Sequence, residues 1–323
     1  MTKKARNSSI ECLRIFFMFL ILSIHIYGHG SGLNYDWIYS LGADWSTAWN
    51  LSLFSLGKVG VTGFIFISGY FGIKTSKQSL MQILSFTIFY TLLLNLYYSH
   101  YGIYDIINLF FSFNNWWFVS CYVFLMLLAP FIEESINKVS ERKFKLLVVC
   151  MFVYTYVMRF IYKDNSHDII LFLTVYMGAR YLRLYPSSSI ALALRKGGVM
   201  SLILILTTPV LVEQIGWKSD KVNAYFLQNN NILLFTVSYW FIYKCEQHAF
   251  YNAVVNRLAV GSLAIYLVTD YPDVRSTLDS WLLPFVLKGY GLLMIGGLCL
   301  TILCIDQVRR ILFMLIESRL HRN

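Results

Sequence analysis

Charged side chains are scarce in this sequence of 323 residues: Asp, Glu, Lys and Arg together make up only 14% of it. Soluble globular proteins average about a quarter charged residues and a little under half apolar residues. Here the hydrophobic share is 57% and the mean hydropathy is +0.58. The composition excludes a soluble enzyme, a disordered chain and a secreted disulfide-rich domain, and it predicts a protein embedded in a lipid bilayer.

The sequence also lacks the patterns that indicate a metal site or a phosphate-binding loop. Its six cysteines include no Cys-x-x-Cys pair and fall mostly inside apolar runs, so we expect neither a disulfide framework nor a zinc site. Gly57-Lys58 lacks the upstream glycine and the following Ser or Thr of a phosphate-binding loop. No repeat, low-complexity tract or long linker divides the chain, which we treat as a single domain, residues 1–323.

Long apolar runs, by contrast, fill most of the chain and predict ten transmembrane helices of roughly 20 residues each. The runs are continuous and do not alternate as the strands of a β-barrel do, so the predicted fold class is all-α. A further amphipathic stretch, Asp306–Leu320, predicts a helix lying on the inner membrane surface. The ten predicted spans are residues 12–29, 50–73, 79–100, 116–132, 144–161, 168–184, 197–216, 230–245, 258–271 and 281–305.

The net charge of +10 agrees with this topology when the N-terminus is placed in the cytoplasm. Of the 27 Lys and Arg residues, five then fall on the outer side, two lie within spans and all the others face the cytoplasm. This bias predicts that both termini are cytoplasmic, and it accounts for the basic charge without a nucleic-acid partner. The outer five are Arg159, Lys163, Lys218, Lys221 and Arg275, and the two within spans are Lys58 and Lys288.

Ionisable side chains inside a span are costly, so the three in the first span are candidate functional residues. His25 lies within about 20° of Arg14 around the helix and roughly 16 Å further along its axis, and Glu11 lies one turn before Arg14. In one interpretation, Glu11 and Arg14 pair at the interface and His25 satisfies a hydrogen bond within the bundle. In the other, the neutral imidazole removes a proton from a hydroxyl or accepts an acyl group itself.

Four motifs, in this order, resemble those of the membrane acyltransferase-3 family, whose members O-acylate cell-surface sugars. Glu11-x-x-Arg14-x10-His25 is similar to the family's first-helix signature. The other three motifs bring the similarity to residues 11–271, most of the chain. They are Ser68-Gly69-Tyr70, the stretch from Trp116-Trp117-Phe118 through Tyr122 to Ala129-Pro130-Phe131, and Ala264-Ile265-Tyr266-Leu267.

The sequence departs from the family pattern in two places. Many members carry Arg-x-x-Arg just inside the second helix, where this chain has Lys74-Thr-Ser-Lys77, and an Arg180-Tyr-Leu-Arg183 occurs later. The family's late motif often ends in histidine, whereas Thr269-Asp270 follows here.

The resemblance implies an enzyme of the cytoplasmic membrane that transfers an acyl group, acetyl in the first instance, from cytosolic acyl-coenzyme A. The acceptor would be a hydroxyl of a surface polysaccharide or of its lipid-linked precursor, and no metal would take part. His25 would be the base or the transient acyl carrier. Arg14 would position the donor or the developing charge, and Glu11 would orient Arg14.

The phosphates of coenzyme A require cations at the inner surface. Each cation there also fits a purely topological role, so both interpretations stay open. The candidates for donor binding are Lys74, Lys77, Arg180 and Arg183.

The predicted acceptor or cavity residues are less specific. Lys58 lines a cavity, pairs with Asp36 or Asp44, or extends to the outer face. Trp116 and Trp117 either stack on sugar rings or belong to the interfacial aromatic belt. The set is completed by Ser68, Tyr70, Tyr122 and Tyr266.

Two other functions remain open from the sequence. A transporter or flippase of a lipid-linked sugar would use a similar cavity without a thioester, and it would show inverted repeats or broken helices, which are not evident here. The second is a membrane acyltransferase that acts on a lipid or a protein.

Overall fold

The computed structural model describes residues 6–30, 45–100, 102, 116–158, 168–214 and 228–320, and this part of the chain is all-helical, as predicted. Two helices, α1 and α5, continue into short π-helical turns. The elements are α1 (Ser8–Ile24) with the turn His25–Gly30, α2 (Trp45–Phe71), α3 (Lys77–Tyr97), α4 (Trp117–Lys138), α5 (Glu141–Phe152) with the turn Val153–Met158, α6 (Ile169–Leu184), α7 (Ser189–Gln214), α8 (Ile232–Gln247), α9 (Ala253–Ala259), α10 (Ser262–Thr269), α11 (Pro272–Leu287) and α12 (Gly291–Leu320).

Six helices within the described ranges are long and apolar enough to cross a membrane, and a seventh is obtained if α9–α10 and α11 count together as one bent span. The shorter α6 and α8 have 16 residues each, which is about 24 Å of helix against a hydrocarbon core of roughly 30 Å. The structure supports a membrane protein, whereas the ten spans and the cytoplasmic termini stay predictions. The six spans are Ser8–Tyr27, Leu51–Phe71, Lys77–Tyr97, Trp117–Lys138, Ser189–Leu211 and Gly291–Ile311.

The prediction of one continuous span over residues 281–305 is wrong, because α11 ends at Leu287 and α12 begins at Gly291. Gly289 has a φ of +81° and donates its N–H to the carbonyl of Val286. The N–H of Tyr290 reaches back to Phe285 at 2.9 Å. These two bonds form the glycine-dependent C-terminal cap known as the Schellman motif, which ends α11.

The predicted span 258–271 is also interrupted. It divides at Val260-Gly261 into α9 and α10, and a Cβ on Gly261 would lie 2.6 Å from an oxygen of Asp306. After α10 the chain bends by 84° into α11, where Pro272 occupies the first turn and disfavours helical geometry in the residue before it. The bend leaves the end of α10 inside the bundle, against α1.

Close backbone contacts hold α2 between α1 and α6. A Cβ on Gly60 would lie 2.5 Å from the carbonyl oxygen of Phe17, and one on Gly69 would lie 2.5 Å from that of Tyr176. Small residues at such crossings let membrane helices approach closely. The contact at Gly60 holds α2 directly against α1, and with it the polar residues that both helices carry.

The segment predicted as a surface helix at the end of the chain is the continuation of α12, and the first charged pair of that segment points inward. Asp306 is fully buried and accepts hydrogen bonds from Arg309 Nε at 2.6 Å and from the Tyr90 hydroxyl at 2.8 Å. The guanidinium of Arg309, itself 5% exposed, lies 3.6 Å from the centroid of the Phe86 ring, whereas Val308 is exposed. Over residues 306–311 the amphipathic prediction is wrong, because the charged pair is buried while Val308 and Ile311 are exposed.

Candidate functional site

The larger of two cavities along α1 has a volume of about 740 Å³, within the usual range for ligand pockets. Its cations are Arg6, Arg14 and Lys74, and Glu11 is the carboxylate in its wall. The wall also includes Ser68 and apolar side chains of α2, α3 and α4. The cavity therefore offers an excess of positive charge beside an apolar surface.

Glu11 organises the charged side of this larger cavity. It is 5% exposed and accepts from Arg14 Nη1 at 3.3 and 3.4 Å, while Arg6 Nε lies 3.9 Å away. A guanidinium has five N–H donors, so Arg14 keeps further donors beyond those that meet Glu11. The pairing that the helical spacing predicted is thus present in the structure.

The other predicted donor-binding cations do not line this cavity. Lys77 is exposed at the first position of α3. Arg180 pairs with Glu133 at 2.7 Å, and Arg183 pairs with Glu246 at 2.7 Å. The structure therefore brings Lys74 to the cavity with Arg14, while Arg180 and Arg183 have carboxylate partners elsewhere.

The smaller cavity, about 360 Å³, contains the end of α1 that carries His25. The wall combines two aromatic side chains, Trp117 and Phe118, with polar side chains from α1, α2, the segment before α8, and α10 to α11. Three of them are almost fully buried: His25 is 7%, Lys58 6% and Asp270 6% exposed. The polar residues in this wall are His25, Lys58, Asn229, Tyr266, Asp270 and Arg275.

The hydrogen bonds around His25 assign its tautomer. The Thr269 hydroxyl donates to the carbonyl of Ile265 at 2.7 Å, so its oxygen is the acceptor for His25 Nδ1 at 3.1 Å. With this donor–acceptor arrangement the neutral ring carries its proton on Nδ1, and Nε2 is the basic nitrogen. The interpretation of His25 as a residue that satisfies a bundle hydrogen bond and its interpretation as a base are therefore compatible.

Asp270 lies on the basic side of the ring. Its Oδ1 is 3.6 Å from His25 Nε2, too far for a strong hydrogen bond to the neutral ring but close enough to stabilise the imidazolium after a proton is taken up. Arg275 forms an ion pair with the same carboxylate. Thr269 and Asp270 thus orient and support a nitrogen base whose chemistry suits proton removal or nucleophilic attack.

One aromatic side chain belongs to both cavities. Phe118 is 2% exposed and lines each of them. Its ring stacks on Tyr122 with centroids 6.3 Å apart and meets Tyr266 at 5.6 Å. The hydroxyl of Tyr122 lies 3.1 Å from Ser68 Oγ on the side of the larger cavity. Phe118 therefore belongs to the walls of both cavities.

The remaining predicted residues separate into different environments. Trp116 is fully buried, so its assignment to an exposed interfacial belt is wrong, whereas Trp117 lines the smaller cavity. The Tyr70 hydroxyl donates to Glu246 at 2.6 Å and lines neither cavity. Lys58 does not extend to the surface, and Asp36 and Asp44, its predicted partners, lie outside the described residues.

Sequence reasoning missed several residues that the fold brings to the two cavities. Thr269 and Asp270 were visible only as a departure from a family motif, and their position beside His25 follows from the break after α10. Arg6 and Arg275 were counted as topological charges. Asn229 belongs to a run of three asparagines whose burial, at 1% exposure or less, nothing in the sequence indicated.

Comparison with known families gives one match, and it covers nearly all of the charged and polar residues of the two cavities. A family model described as an acyltransferase domain matches residues 7–306, which include the polar residues of the smaller cavity and all but Arg6 of the charged residues of the larger one. Comparisons with curated proteins and with solved structures gave no match. Within the described ranges, no cluster of three or more His, Cys, Asp or Glu side chains could hold a metal ion.

Proposed function

The chain belongs to the acyltransferase-3 family, and from this premise we propose that it is a membrane O-acyltransferase with cytosolic acyl-coenzyme A as donor. The acyl group, acetyl in the first instance, passes to a hydroxyl of a surface polysaccharide or its lipid-linked precursor at the cytoplasmic membrane. The observation that carries the proposal is His25, which contacts Thr269 in a cavity that shares Phe118 with a cationic cavity. One protein thus offers a charged donor site and a basic nitrogen at two ends of the same helix.

The larger cavity suits the donor. Its three cations against one carboxylate match the phosphates of coenzyme A, and guanidinium groups bind phosphate oxygens in pairs. The apolar remainder of the wall suits the uncharged arm that carries the thioester. We expect the arm to reach His25 by passing Phe118, which lines both cavities, and to displace its ring.

The chemistry at His25 balances without a further reactant. The acceptor hydroxyl attacks the thioester carbonyl, Nε2 takes the hydroxyl proton, the carbon–sulfur bond breaks, and the proton passes to the departing sulfur. In a covalent variant, Nε2 attacks the carbonyl first and the carbon–sulfur bond breaks; the hydroxyl then takes the acyl group from Nε2, and its proton ends on the thiolate. In both, Asp270 stabilises the positive charge on the ring.

The break between α10 and α11 is the feature that favours the alternative function, a transporter of lipid-linked sugars, because broken helices line many transport sites. Here, however, the break delivers Thr269 and Asp270 to His25. Such an arrangement supports proton transfer at one nitrogen, as general base catalysis requires.

The function is tested by mass analysis of surface glycan and its precursors from cells with and without the gene. We expect an acyl-sized mass difference on the glycan. Unmodified glycan in both strains, with precursor accumulating only in the strain without the gene, would indicate a flippase. An acyl-sized mass difference found only on a lipid or only on a protein would identify that molecule, and not the glycan, as the acceptor.

Donor binding gives a prediction at the larger cavity. Replacing Lys74 or Arg14 with alanine should weaken acyl-coenzyme A binding to the purified protein by roughly 10- to 100-fold, since a charged hydrogen bond contributes about 1.5–3 kcal/mol. Lys138→Ala is the matched control, because Lys138 is exposed and pairs with Glu134 on the surface. Unchanged affinity in both cavity variants, measured by calorimetry, would remove the larger cavity as the donor site.

The assigned tautomer gives a second prediction. Thr269→Val keeps the shape of the side chain but loses the acceptor for His25 Nδ1–H, so turnover should fall by up to about tenfold, the value of one neutral hydrogen bond. Thr269→Ser should retain most activity. Because Thr269 orients the base without touching the donor, the affinity for acyl-coenzyme A should not change. Equal turnover in the Val and Ser variants would show that this bond does not position His25.

A further inference from the structure

Lys58 is a buried cation that the donor site and the base do not use. Only 6% of it is exposed, and its Nζ lies 4.9 Å from the centroid of the Phe54 ring. Among the described residues, no carboxylate forms an ion pair with it. An ammonium inside a membrane bundle costs several kcal/mol unless it is paired or solvated. Because Lys58 lines the smaller cavity, a ligand bound there could supply the negative charge that pairs with it.

Three further polar atoms in the same wall, the Tyr266 hydroxyl among them, lack a hydrogen-bond partner within the described part of the chain. Arg275 uses Nη2 on Asp270, but its buried Nε–H donates to nothing, and the buried Oδ1 of Asn229 accepts from nothing. Ammonium and guanidinium groups can only donate, whereas the amide oxygen can only accept. A complementary ligand thus presents both an acceptor oxygen and a hydroxyl.

The charge balance of the smaller cavity favours an anion. Lys58 and Arg275 are cationic and Asp270 is the carboxylate in the wall, so the cavity carries one excess positive charge while His25 is neutral. Protonation of His25 during the reaction raises that excess to two. An anionic group beside the ring would offset this charge in a poorly solvated site.

We propose that the smaller cavity binds an oxyanion of the acceptor, a phosphate or a carboxylate, on Lys58 and Arg275. Asn229 accepts from a neighbouring sugar hydroxyl, and the hydroxyl to be acylated lies at His25 Nε2. The inference rests on the proposed O-acyltransferase function and adds the acceptor's class: a sugar that carries negative charge close to the reacting hydroxyl. The volume of about 360 Å³ admits one sugar-sized group at a time.

Lys58 has a competing role as a donor to the oxyanion that develops on the thioester carbonyl. The two roles predict different kinetic changes in a variant that lacks the Lys58 ammonium. Loss of a residue that binds the acceptor's anion raises KM for charged acceptors and leaves neutral acceptors unaffected. Loss of a residue that stabilises the transition state lowers kcat for every acceptor.

The experiment uses the full chain in lipid nanodiscs with acetyl-coenzyme A and three soluble acceptors: a neutral hexose glycoside, the matching uronic acid glycoside and a hexose 1-phosphate. We expect at least one charged acceptor to have a kcat/KM about tenfold or more above the neutral one. Lys58→Met should lower kcat/KM for the charged acceptors by roughly 10- to 100-fold through KM. Lys58→Arg should retain most of the preference. Whether the uronic acid or the phosphate is preferred identifies the source of the anion.

Lys288→Met is the control, because Lys288 is exposed at the junction of α11 and α12. Calorimetric binding of the charged glycosides without donor gives a readout that does not depend on catalysis. Charged glycosides that bind through Lys58 without any acyl transfer would support the anion site and contradict the proposed enzyme. Acyl transfer with no preference for charged acceptors, or an equal loss of kcat for all three in Lys58→Met, would overturn the anion site alone.

Discussion

Replacing His25 with alanine should abolish acyl transfer while the protein still folds and inserts. A hydroxyl is a poor nucleophile at neutral pH, and a positioned base typically contributes about 10²–10⁴-fold to the rate. If an acyl-histidine forms, the loss is larger because the covalent route disappears. The side chain hydrogen-bonds to Thr269 and borders a cavity, and we expect the bundle to fold without it. The measurement is acyl content of the surface glycan, with the amount of inserted protein determined in parallel.

His100→Ala is the matched control for this variant. His100 pairs with Asp273 at 3.0 Å, its side chain is 40% exposed, and it lines neither cavity, so activity should be retained. A well-expressed His25→Ala protein that acylates the glycan at the level of the unmodified protein would contradict the assignment of the base.

The largest effect on stability is expected at Asp306. Changing it to alanine leaves Arg309 as a buried cation without its carboxylate, and breaking a buried pair in this way typically costs about 3–5 kcal/mol. The Tyr90 hydroxyl loses its acceptor at the same time. We expect a much lower midpoint of thermal unfolding in detergent and a lower yield of folded protein. Both quantities are measured on the same preparation.

The double change of Asp306 to leucine and Arg309 to methionine separates charge from packing. It removes both charges and keeps apolar volume, so it should recover most of the stability lost in Asp306→Ala. A double variant as unstable as the single one would indicate that the hydrogen bonds, and not the unpaired charge, hold α12 in place. Tyr90→Phe should cost only about 0.5–1.5 kcal/mol, apart from its effect on the pair.

The parts of the fold and the site that lie along one helix could be predicted from the sequence. The 3.6-residue period places Glu11 next to Arg14, and the structure contains that ion pair. The all-helical class followed from composition and run length alone. Local rules are sufficient in these cases because the partners belong to the same element.

Contacts between distant elements could not be predicted in this way. Thr269 reaches His25 because Pro272 and the bend after α10 redirect the chain, and hydropathy averaged over a window does not detect a bend. Lys288-Gly289, a typical helix-ending pair, lies inside the apolar run 281–305, so the average hydropathy of that run did not indicate the end of α11. The partner of Arg183 is Glu246, 63 residues away. From charge alone, Arg183 is indistinguishable from Lys74, although only Lys74 lines the cavity.

The arrangement of two cavities that share Phe118 has an electrical consequence for the proposed reaction. The acyl group passes from the donor's sulfur to the acceptor hydroxyl at His25, while hydrogen passes in the reverse direction onto the sulfur, which then leaves with the donor through the larger cavity. The thioester, alcohol, ester and thiol are all uncharged at the reacting atoms, so each compartment keeps the charge with which it began. A process that moves one elementary charge across a membrane changes by about 2.3 kcal/mol per 100 mV. This exchange moves none, so its equilibrium is the same in a polarised and in a depolarised cell.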